Sequence, residues 1–170
     1  METKYGLALG ANAGARKLQL RAARELIRRE LATRNSPVLV APIYITTPVD
    51  CEPDTRSFYN TCIEIASHHS PTTVLAHCQE IEHRLGRPPS HPRNAPRTID
   101  IDILYADQII LESPELTIPH PRLVCRRFVL EPLADIRPDL TLPGQAAPVS
   151  SLLKNLASSE PPIELKAHEW

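Results

Sequence analysis

This sequence of 170 residues lacks the features that would place a protein in a membrane or on a nucleic acid. Its first residues, Met1 to Leu7, contain no apolar stretch of the kind that a signal peptide needs. No apolar run approaches the roughly 20 residues of a membrane span. The formal net charge is only -1, which argues against a surface built to hold nucleic acid. We expect a cytoplasmic monomer whose partners are small-molecule substrates, with no membrane and no nucleic acid among them.

Cysteine and glycine are also scarce, and their spacing argues against two kinds of site. The four cysteines, Cys51, Cys62, Cys78 and Cys125, are far apart and form no C-x-x-C pair, so buried apolar roles are favoured over a metal site. No Gly-x-x-x-x-Gly-Lys-Ser/Thr occurs, which excludes a P-loop. The turn over 10–14 resembles a phosphate loop but lacks its lysine, and a plain turn between strand and helix explains it at least as well.

Proline is abundant, with 18 residues, but the prolines cluster and leave the regular elements between them largely intact. Ser70 suits a helix N-cap, Pro71 suits the first helical position, and Gly86 suits the stop of the same helix. The tail over 157–170 is weakly patterned, and we expect it to be loose. The predicted strands cover 5–9, 38–47, 58–66 and 98–105, and the predicted helices cover 16–33, 71–85, 124–133 and 149–156.

The order of these elements indicates the fold class. Strand, helix, strand, strand, helix, strand is the order of a ferredoxin-like unit. We therefore predict an α+β protein with a ferredoxin-like α/β sandwich, in which a mainly antiparallel sheet has helices on one face and C-terminal additions. No repeat and no domain boundary is evident, so residues 1–170 are expected to form a single domain.

The segment from Arg97 to Leu104 carries the clearest chemical signal. Its alternating isoleucines predict a strand with one face in the core, which places Asp100 and Asp102 together on the other face. Two adjacent carboxylates repel each other unless a cation neutralises them. Hard oxygen ligands favour magnesium over zinc. The alternative is an acidic strand that only faces solvent.

A basic stretch stiffened by prolines precedes these carboxylates. Between His83 and Thr98 the chain carries four arginines and no acidic residue. A polyphosphate bound to a metal requires such a pairing, because guanidinium groups neutralise the phosphates while the metal bridges their oxygens. A disordered basic loop is the alternative, but it explains less well why Arg97 stands at the entrance of the strand.

Two further groups of residues leave their interpretation open. His120, held between two prolines, suits a fixed phosphate contact and equally suits a turn in which the histidine caps a backbone carbonyl. Phe58 and Phe128 both lie beside polar clusters. The two rings could sandwich a flat heterocycle, or they could be ordinary core residues.

Taken in order, these segments resemble the 6-hydroxymethyl-7,8-dihydropterin pyrophosphokinases, enzymes of folate biosynthesis that use ATP and magnesium. The resemblance covers about residues 5–142. Its most specific elements are Pro-Arg-Thr-Ile-Asp-Ile-Asp over 96–102 and Ile-Pro-His over 118–120. The other matching segments are 9–12, 44–48, 58–60, 81–87 and 126–133.

The resemblance implies a reaction and a set of site residues. Pyrophosphate would pass from Mg-ATP to the hydroxymethyl group of the pterin, and AMP would leave. Asp100 and Asp102 would hold two magnesium ions, and Arg87 and Arg97 would contact the phosphates as catalytic residues. The positions that match the ATP site are Gln79, Glu82, Arg87, Arg97, Ile103, Thr117, His120 and Arg126. The positions that match the pterin pocket are Thr46, Pro48, Val49, Phe58, Asn60 and Phe128.

The chain departs from the family pattern at Ala11, Asn94 and Ala95, where Ser, Trp and Gly are usual. None of these changes removes a metal ligand or an arginine of the expected site. One alternative is a degenerate relative that binds pterin or nucleotide without turning it over. Another is an RNA-binding module that uses the basic first helix, but it would need exposed aromatic side chains that the predicted strands hardly offer.

Overall fold

A computed structural model describes residues 1–47, 56–87, 97–156 and 163–170 of the chain. The strands are β1 (Thr3–Ala11), β2 (Leu39–Val40), β3 (Ile43–Thr46), β4 (Phe58–Ser67), β5 (Asp100–Ala106), β6 (Leu111–Glu112), β7 (Thr117–Ile118) and β8 (Glu164–Ala167). The α-helices are α1 (Arg16–Glu30), α2 (Pro71–Arg84), α3 (Arg127–Ile136) and α4 (Val149–Lys154). None of the helices in these ranges has the length and apolar character needed to cross a membrane.

The main sheet has the order β5-β1-β4-β3-β8, with β2 also paired to β4. All of its pairs are antiparallel. The first helix connects β1 to the second part of the sheet, and α2 connects β4 to β5. This order and these connections are those of a ferredoxin-like unit, so the predicted fold class is confirmed.

Helices cover both faces of this sheet. Buried residues of α1 and α2, such as Leu20 and Ile81, share one core with alternate residues of the central strands. Leu130 and Leu133 of α3 and Val149 of α4 share a second core on the other face. The predicted C-terminal additions therefore form a second helical layer. We call the side of the sheet beneath this layer the α3 face.

Local end signals define α2 as the sequence predicts. The Ser70 side chain accepts a hydrogen bond from the Thr73 amide at 3.3 Å, and Pro71 occupies the first turn. Gly86 follows the helix with a φ of +91°, a conformation that glycine adopts without a steric penalty. The predicted helix over 124–133 starts later than expected. Arg126 is extended, with φ -118° and ψ 114°, and separates a 3-10 turn over Leu123–Cys125 from α3.

Two predictions from the sequence need correction. The tail over 157–170 is predicted to be loose, but its part over 163–170 is not, because β8 pairs with β3 and Trp170 is 7% exposed. Residues 157–162 lie outside the described residues. The cysteines are predicted to be buried. Cys62 and Cys78 are buried, but Cys125 is exposed. Burial raises the pKa of the Cys62 thiol, and it raises that of Cys78 to about 12. Cys51 lies outside the described residues.

A buried polar network anchors α3 to the sheet. Tyr105 of β5 crosses over Gly6 of β1, and its hydroxyl donates to Oε2 of Glu64 on β4 at 2.5 Å. Arg137, which follows α3, lies with Nε 3.3 Å from the same oxygen. A Cβ atom added to Gly6 would lie 2.1 Å from the Tyr105 ring. Only a glycine lets the ring cross the central strand here.

We expect the substitution Gly6→Ala to lower the free energy of unfolding by about 2–3 kcal/mol, since the new methyl group overlaps the Tyr105 ring. Urea denaturation followed by far-UV circular dichroism measures this loss. In a Tyr105→Leu background the same substitution should cost much less, because the overlap is gone. An equal cost in both backgrounds would contradict the assigned role of Gly6.

Candidate active site

Asp100 and Asp102 project from β5 on the α3 face, as the alternation of the strand predicts. Ile99, Ile101 and Ile103 point the other way and are at most 4% exposed in the core below α1 and α2. Both aspartates are half-buried. Burial raises the pKa of the Asp102 carboxyl, and the negative charge of Asp100 raises it further. The pair therefore has the electrostatic character of a cation site.

Arg87 and Arg97 both bind Asp100. Arg87 follows α2, and its guanidinium donates to Oδ1 of Asp100 and to Oε1 of Glu82. Arg97 precedes β5 and donates from its guanidinium to Oδ2 of Asp100 at 2.6 Å. The two arginines thus reach the same carboxylate from different elements. The structure brings together the four residues that the sequence analysis expected to be catalytic.

Asn12 holds the backbone of Arg97 in place. Its Oδ1 atom accepts from the Arg97 amide at 2.7 Å, and the amides of Asn12 and Ala13 both donate to the Arg97 carbonyl at 3.1 Å. The Asn12 side chain is 2% exposed. No pattern in the sequence assigns a role to Asn12, although it ends the Leu-Gly-Ala-Asn segment of the resemblance. That match was the available signal.

Glu82 reaches the outer edge of β5, which is one of the two end strands in the order β5-β1-β4-β3-β8. Its Oε1 atom accepts from the Ile101 amide at 2.6 Å, and the residue is 8% exposed. Burial raises the pKa of the Glu82 carboxyl to about 7, and the contacts with the Ile101 amide and Arg87 offset only part of this effect. Glu82 therefore links α2, Arg87 and the strand that carries the aspartates.

Thr117 and His120 lie beside the same edge. The His120 amide donates to the Leu104 carbonyl at 2.8 Å, and Nδ1 of the ring accepts from the Arg122 amide at 3.1 Å. The neutral ring therefore carries its proton on Nε2. Burial lowers the pKa of His120, and Arg126 lowers it further. The Nδ1 atom of His120 therefore accepts a hydrogen bond from a backbone amide and does not donate one to a backbone carbonyl.

Those predicted pterin residues that the structure describes lie further across the α3 face. In the antiparallel register, Gly10 of β1 opposes Asp100 on one side and Asn60 of β4 on the other. Nδ2 of Asn60 donates to the Thr46 hydroxyl at 2.7 Å, and both residues are 8% exposed. A Cβ atom at Gly10 would lie 2.9 Å from Oδ1 of Asn60. Gly10 therefore leaves room for the amide between the carboxylates and Thr46.

The two phenylalanine rings are half-buried, and Phe128 packs against the second core. Phe58 begins β4 and opposes Thr46 in the register. Phe128 lies in the first turn of α3, and the Arg126 guanidinium is 5.2 Å from the centre of its ring. Alternation along β4 places Phe58 on the same face as Asn60, which is the face that α3 covers.

Some expected site residues lie elsewhere. The Ile103 side chain is 3% exposed in the core on the opposite face from Asp102, and Gln79 is exposed on α2. Pro48 and Val49 lie outside the described residues, as do Asn94 and Ala95. Ala11 is described and is fully buried.

A charged site on one face of a ferredoxin-like sandwich is the arrangement expected of an enzyme that transfers phosphoryl groups. The family model described as 7,8-dihydro-6-hydroxymethylpterin-pyrophosphokinase (HPPK) matches residues 6–138. The chain belongs to this family. It is an ATP-dependent pyrophosphokinase of folate biosynthesis that acts on the hydroxymethyl group of the dihydropterin, as the resemblance implies.

Curated relatives support this assignment. The chain is 41% identical over 130 residues to the 2-amino-4-hydroxy-6-hydroxymethyldihydropteridine pyrophosphokinase of Bacillus subtilis, with 76% of this chain and 75% of that protein covered. It is 38% identical over 137 residues to the protein of the same name in Pseudomonas aeruginosa, with 81% and 82% covered. It is 37% identical to the folic acid synthesis protein fol1 of Schizosaccharomyces pombe and covers 20% of that longer protein.

Solved structures support the fold. A crystal structure of HPPK-DHPS in complex with substrates matches with a TM-score of 0.69 at 16% identity, covering 91% of this chain and 43% of that chain. The Plasmodium falciparum HPPK-DHPS variant A437G with STZ-DHP matches with a TM-score of 0.71 at the same identity and 45% coverage of that chain. The chain therefore spans less than half of these structures, and the likeness shows the fold alone.

The raised pKa of Glu82 predicts a pH-dependent stability. The native state binds a proton on the Glu82 carboxyl more tightly than the unfolded chain does, where the pKa of this group is 4.5. The contribution of this proton to the free energy of unfolding is therefore complete below pH 4.5 and disappears as the pH rises through about 7. The loss amounts to about 2–3 kcal/mol. Glu82→Gln keeps an oxygen acceptor for the Ile101 amide but does not titrate.

Chemical denaturation at pH 5 and at pH 8 measures this contribution. The difference in unfolding free energy between the two pH values should be smaller for Glu82→Gln than for the unmodified chain, with less stability lost toward pH 8. Glu80→Gln, an exposed neighbour on the same helix, is the matched control and should behave like the unmodified chain. Parallel pH profiles for all three proteins would show that Glu82 titrates normally.

Proposed function

We propose that Asp100, Asp102, Arg87 and Arg97 form the catalytic centre of the pyrophosphoryl transfer. The observation that carries this proposal is the convergence of both arginines on Asp100 beside a second carboxylate. A transferring polyphosphate needs a cation on its oxygens and donors that neutralise its charge. The two carboxylates would hold the cation, and the two guanidinium groups would neutralise the charge.

The two aspartates fit magnesium. Their donors are carboxylate oxygens, which this hard cation prefers over softer ligands. Burial of Asp102 and repulsion from Asp100 disfavour the doubly charged pair unless positive charge is near. Asp100 and Asp102 would hold two Mg²⁺ ions together with phosphate oxygens. When bound, these ions would neutralise the phosphates and ease loss of the proton from the pterin hydroxyl.

Arg87 and Arg97 orient and neutralise the transferring group in this proposal. A guanidinium presents a fork of donors that fits phosphate oxygens. Asn12 fixes the backbone of Arg97, so its side chain starts from a defined position. Positioning and charge neutralisation, and not a covalent intermediate, are the work of the protein.

We assign ATP to the outer edge of β5. Backbone hydrogen bonds hold Glu82 at this edge and His120 beside it, and strand pairing holds Thr117. Arg126 approaches from the start of α3. Since the Ile103 side chain is in the core, Ile103 would contribute through its main chain. By resemblance, the exposed Gln79 would also contact ATP.

We assign the pterin to the part of the α3 face around Asn60. A carboxamide offers both a donor and an acceptor for the edge of a heterocycle, and Thr46 fixes its orientation. The half-buried rings of Phe58 and Phe128 would flank the flat ring system. Pro48 and Val49 complete the pocket by resemblance.

The reaction then follows from this arrangement. The hydroxymethyl oxygen of the pterin attacks the β-phosphorus of ATP in line, the bond to the α-phosphate oxygen breaks, and AMP leaves. Asn60 and the two rings would present the hydroxymethyl group toward the aspartates, because Gly10 separates Asn60 from Asp100 by a single strand. Action as a monomer in the cytoplasm remains a prediction of the sequence.

Replacing either aspartate tests the metal assignment. Asp100→Asn and Asp102→Asn should each lower kcat for AMP formation by about 10²- to 10³-fold or more, because the charge that holds the cation is lost. Chromatographic detection of AMP from Mg-ATP and the pterin gives the rate. Circular dichroism should show folded protein for both variants.

Asp107→Asn is the matched control, since Asp107 follows the same strand and its carboxylate accepts a hydrogen bond from the Lys4 amide at 2.9 Å. This variant should turn over normally. Normal turnover by Asp100→Asn or Asp102→Asn would overturn the metal assignment. A lack of AMP formation by the unmodified chain would favour the degenerate alternative.

Arg97 is expected to act mainly in the transition state. Arg97→Ala should lower kcat by about 10²-fold while the dissociation constant for ATP changes less than about threefold. Its backbone bonds to Asn12 do not depend on the side chain. Single-turnover kinetics and calorimetric titration with a non-hydrolysable ATP analogue measure the two quantities.

Arg84→Ala is the control for this experiment, because Arg84 pairs with Glu30 on the protein surface. It should leave both quantities unchanged. An Arg97→Ala variant with normal kcat and weaker ATP binding would show that Arg97 serves binding in the ground state.

A further inference from the structure

The C-terminal strand β8 completes the sheet next to the proposed pterin pocket. It pairs with the outer side of β3, where Ile43, Tyr44 and Ile45 oppose residues of β8. The inner side of the short β3 strand pairs with β4 over Tyr44–Thr46. Most of β8 is itself exposed, with Leu165 at 47%, so burial of its own side chains does little to hold it.

Trp170 supplies the anchor that β8 lacks. It is the single tryptophan of the chain, and it is buried in the same core as Ile43 and Ile27. Its Nε1 atom donates to the Ala41 carbonyl at 2.8 Å. The Arg24 guanidinium lies 4.7 Å from the centre of the indole ring and donates to the Trp170 carbonyl. A cation–π contact, a hydrogen bond from the indole and burial in the core therefore all hold Trp170 in place.

The anchored segment bears directly on β3. Ala41 stands two residues before this strand, and its amide and carbonyl also bind β4, through the Cys62 carbonyl and the Thr61 hydroxyl. At the other end of β3, Thr46 accepts the hydrogen bond that orients Asn60. A four-residue strand paired on one side only would open readily. Pairing with β8 and the Trp170 anchor hold it from the outer side.

We propose that Trp170 is a positioning residue for the pterin side of the reaction: it docks β8 against β3 and thereby fixes Thr46 and Asn60. This inference rests on the assignment of the pterin to the pocket around Asn60. It adds a determinant of pterin affinity that lies outside the pocket, on the edge of the sheet opposite β5, the strand that carries Asp100 and Asp102.

Positioning has a reciprocal consequence. If docking of the C-terminal segment favours pterin binding, then pterin binding must favour docking by the same factor. Amide hydrogen exchange over 163–170 should therefore slow when the pterin is added together with a non-hydrolysable ATP analogue. The analogue alone should have much less effect, since β5 and α2 lie on the other side of β1 from β8.

The kinetic test compares Trp170→Ala with Trp170→Phe in the full chain. Trp170→Ala should raise KM for the pterin about tenfold while kcat and KM for ATP stay within about twofold, because the transferring groups are untouched. Trp170→Phe keeps an aromatic ring in the core but lacks the donor to Ala41. It should restore part of the pterin affinity.

Val74→Ala is the control for general loss of stability. Val74 is fully buried in α2. This helix packs against β5, which lies at the opposite end of the sheet from β8. This variant should lose stability with KM for the pterin unchanged. An equal rise in KM for Val74→Ala and Trp170→Ala would overturn the positioning role.

A third variant separates failure of this inference from failure of the proposed pocket. If Asn60→Ala raises KM for the pterin and Trp170→Ala does not, the pocket stands and the positioning role is overturned. If Asn60→Ala has no effect, the pocket assignment fails and the inference falls with it. Should Trp170→Ala not fold, Trp170→Phe and the exchange experiment decide. Unchanged exchange over 163–170 on pterin binding overturns the proposal.

Discussion

The register of β1 with its two neighbours is the constraint on which the site depends. Gly10 opposes Asp100 on β5 and Asn60 on β4, so a carboxylate and an amide face the same layer on either side of one strand. A slip of one residue in either ladder would send one of them to the opposite face, because the side-chain period of a strand is two. Ile99, Ile101 and Ile103 hold the register, since a slip would move their side chains out of the core. The apolar core thereby positions the polar chemistry.

Two glycines of the central strand give the α3 face its shape. Gly6 lets Tyr105 cross to Glu64, and Gly10 leaves room for the Asn60 amide. Glycine weakens a strand because it has no side chain to pack, but here the neighbouring strands fill the space with polar contacts. One of these contacts anchors the end of α3 through Arg137. The start of the same helix carries Phe128, so the anchor and the proposed pocket lie at opposite ends of one rigid element.

The sequence predicts what depends on local signals. Alternation placed Asp100 and Asp102 on one face, and the Ser70 cap and Gly86 fixed the limits of α2. Contacts between distant segments leave no such pattern. Docking of Trp170 depends on the Ala41 carbonyl and on Arg24, and nothing in the residues of the tail reveals those partners.

Backbone partners are hidden for the same reason. Glu82 binds the Ile101 amide, and Asn12 binds both sides of the Arg97 peptide. When a side chain binds a backbone group, the residue that supplies this backbone group can be of almost any type. Periodicity and spacing in the sequence therefore do not predict such a contact. Resemblance named Glu82 and included Asn12 in a motif, but the physical reason for each became visible only in the fold.

Asp100 connects the stability of the site with its chemistry. Burying a carboxylate beside a second one is costly unless positive charge is close, and Arg87 and Arg97 provide that charge from two different elements. In the proposed site, each arginine would have two kinds of anionic partner, Asp100 within the chain and the phosphate oxygens of the nucleotide. Asp100 would likewise have two kinds of cationic partner, the arginines and a divalent ion. Binding of a metal–nucleotide complex would then exchange these partners, so that the same charged groups would serve both the fold and the proposed site.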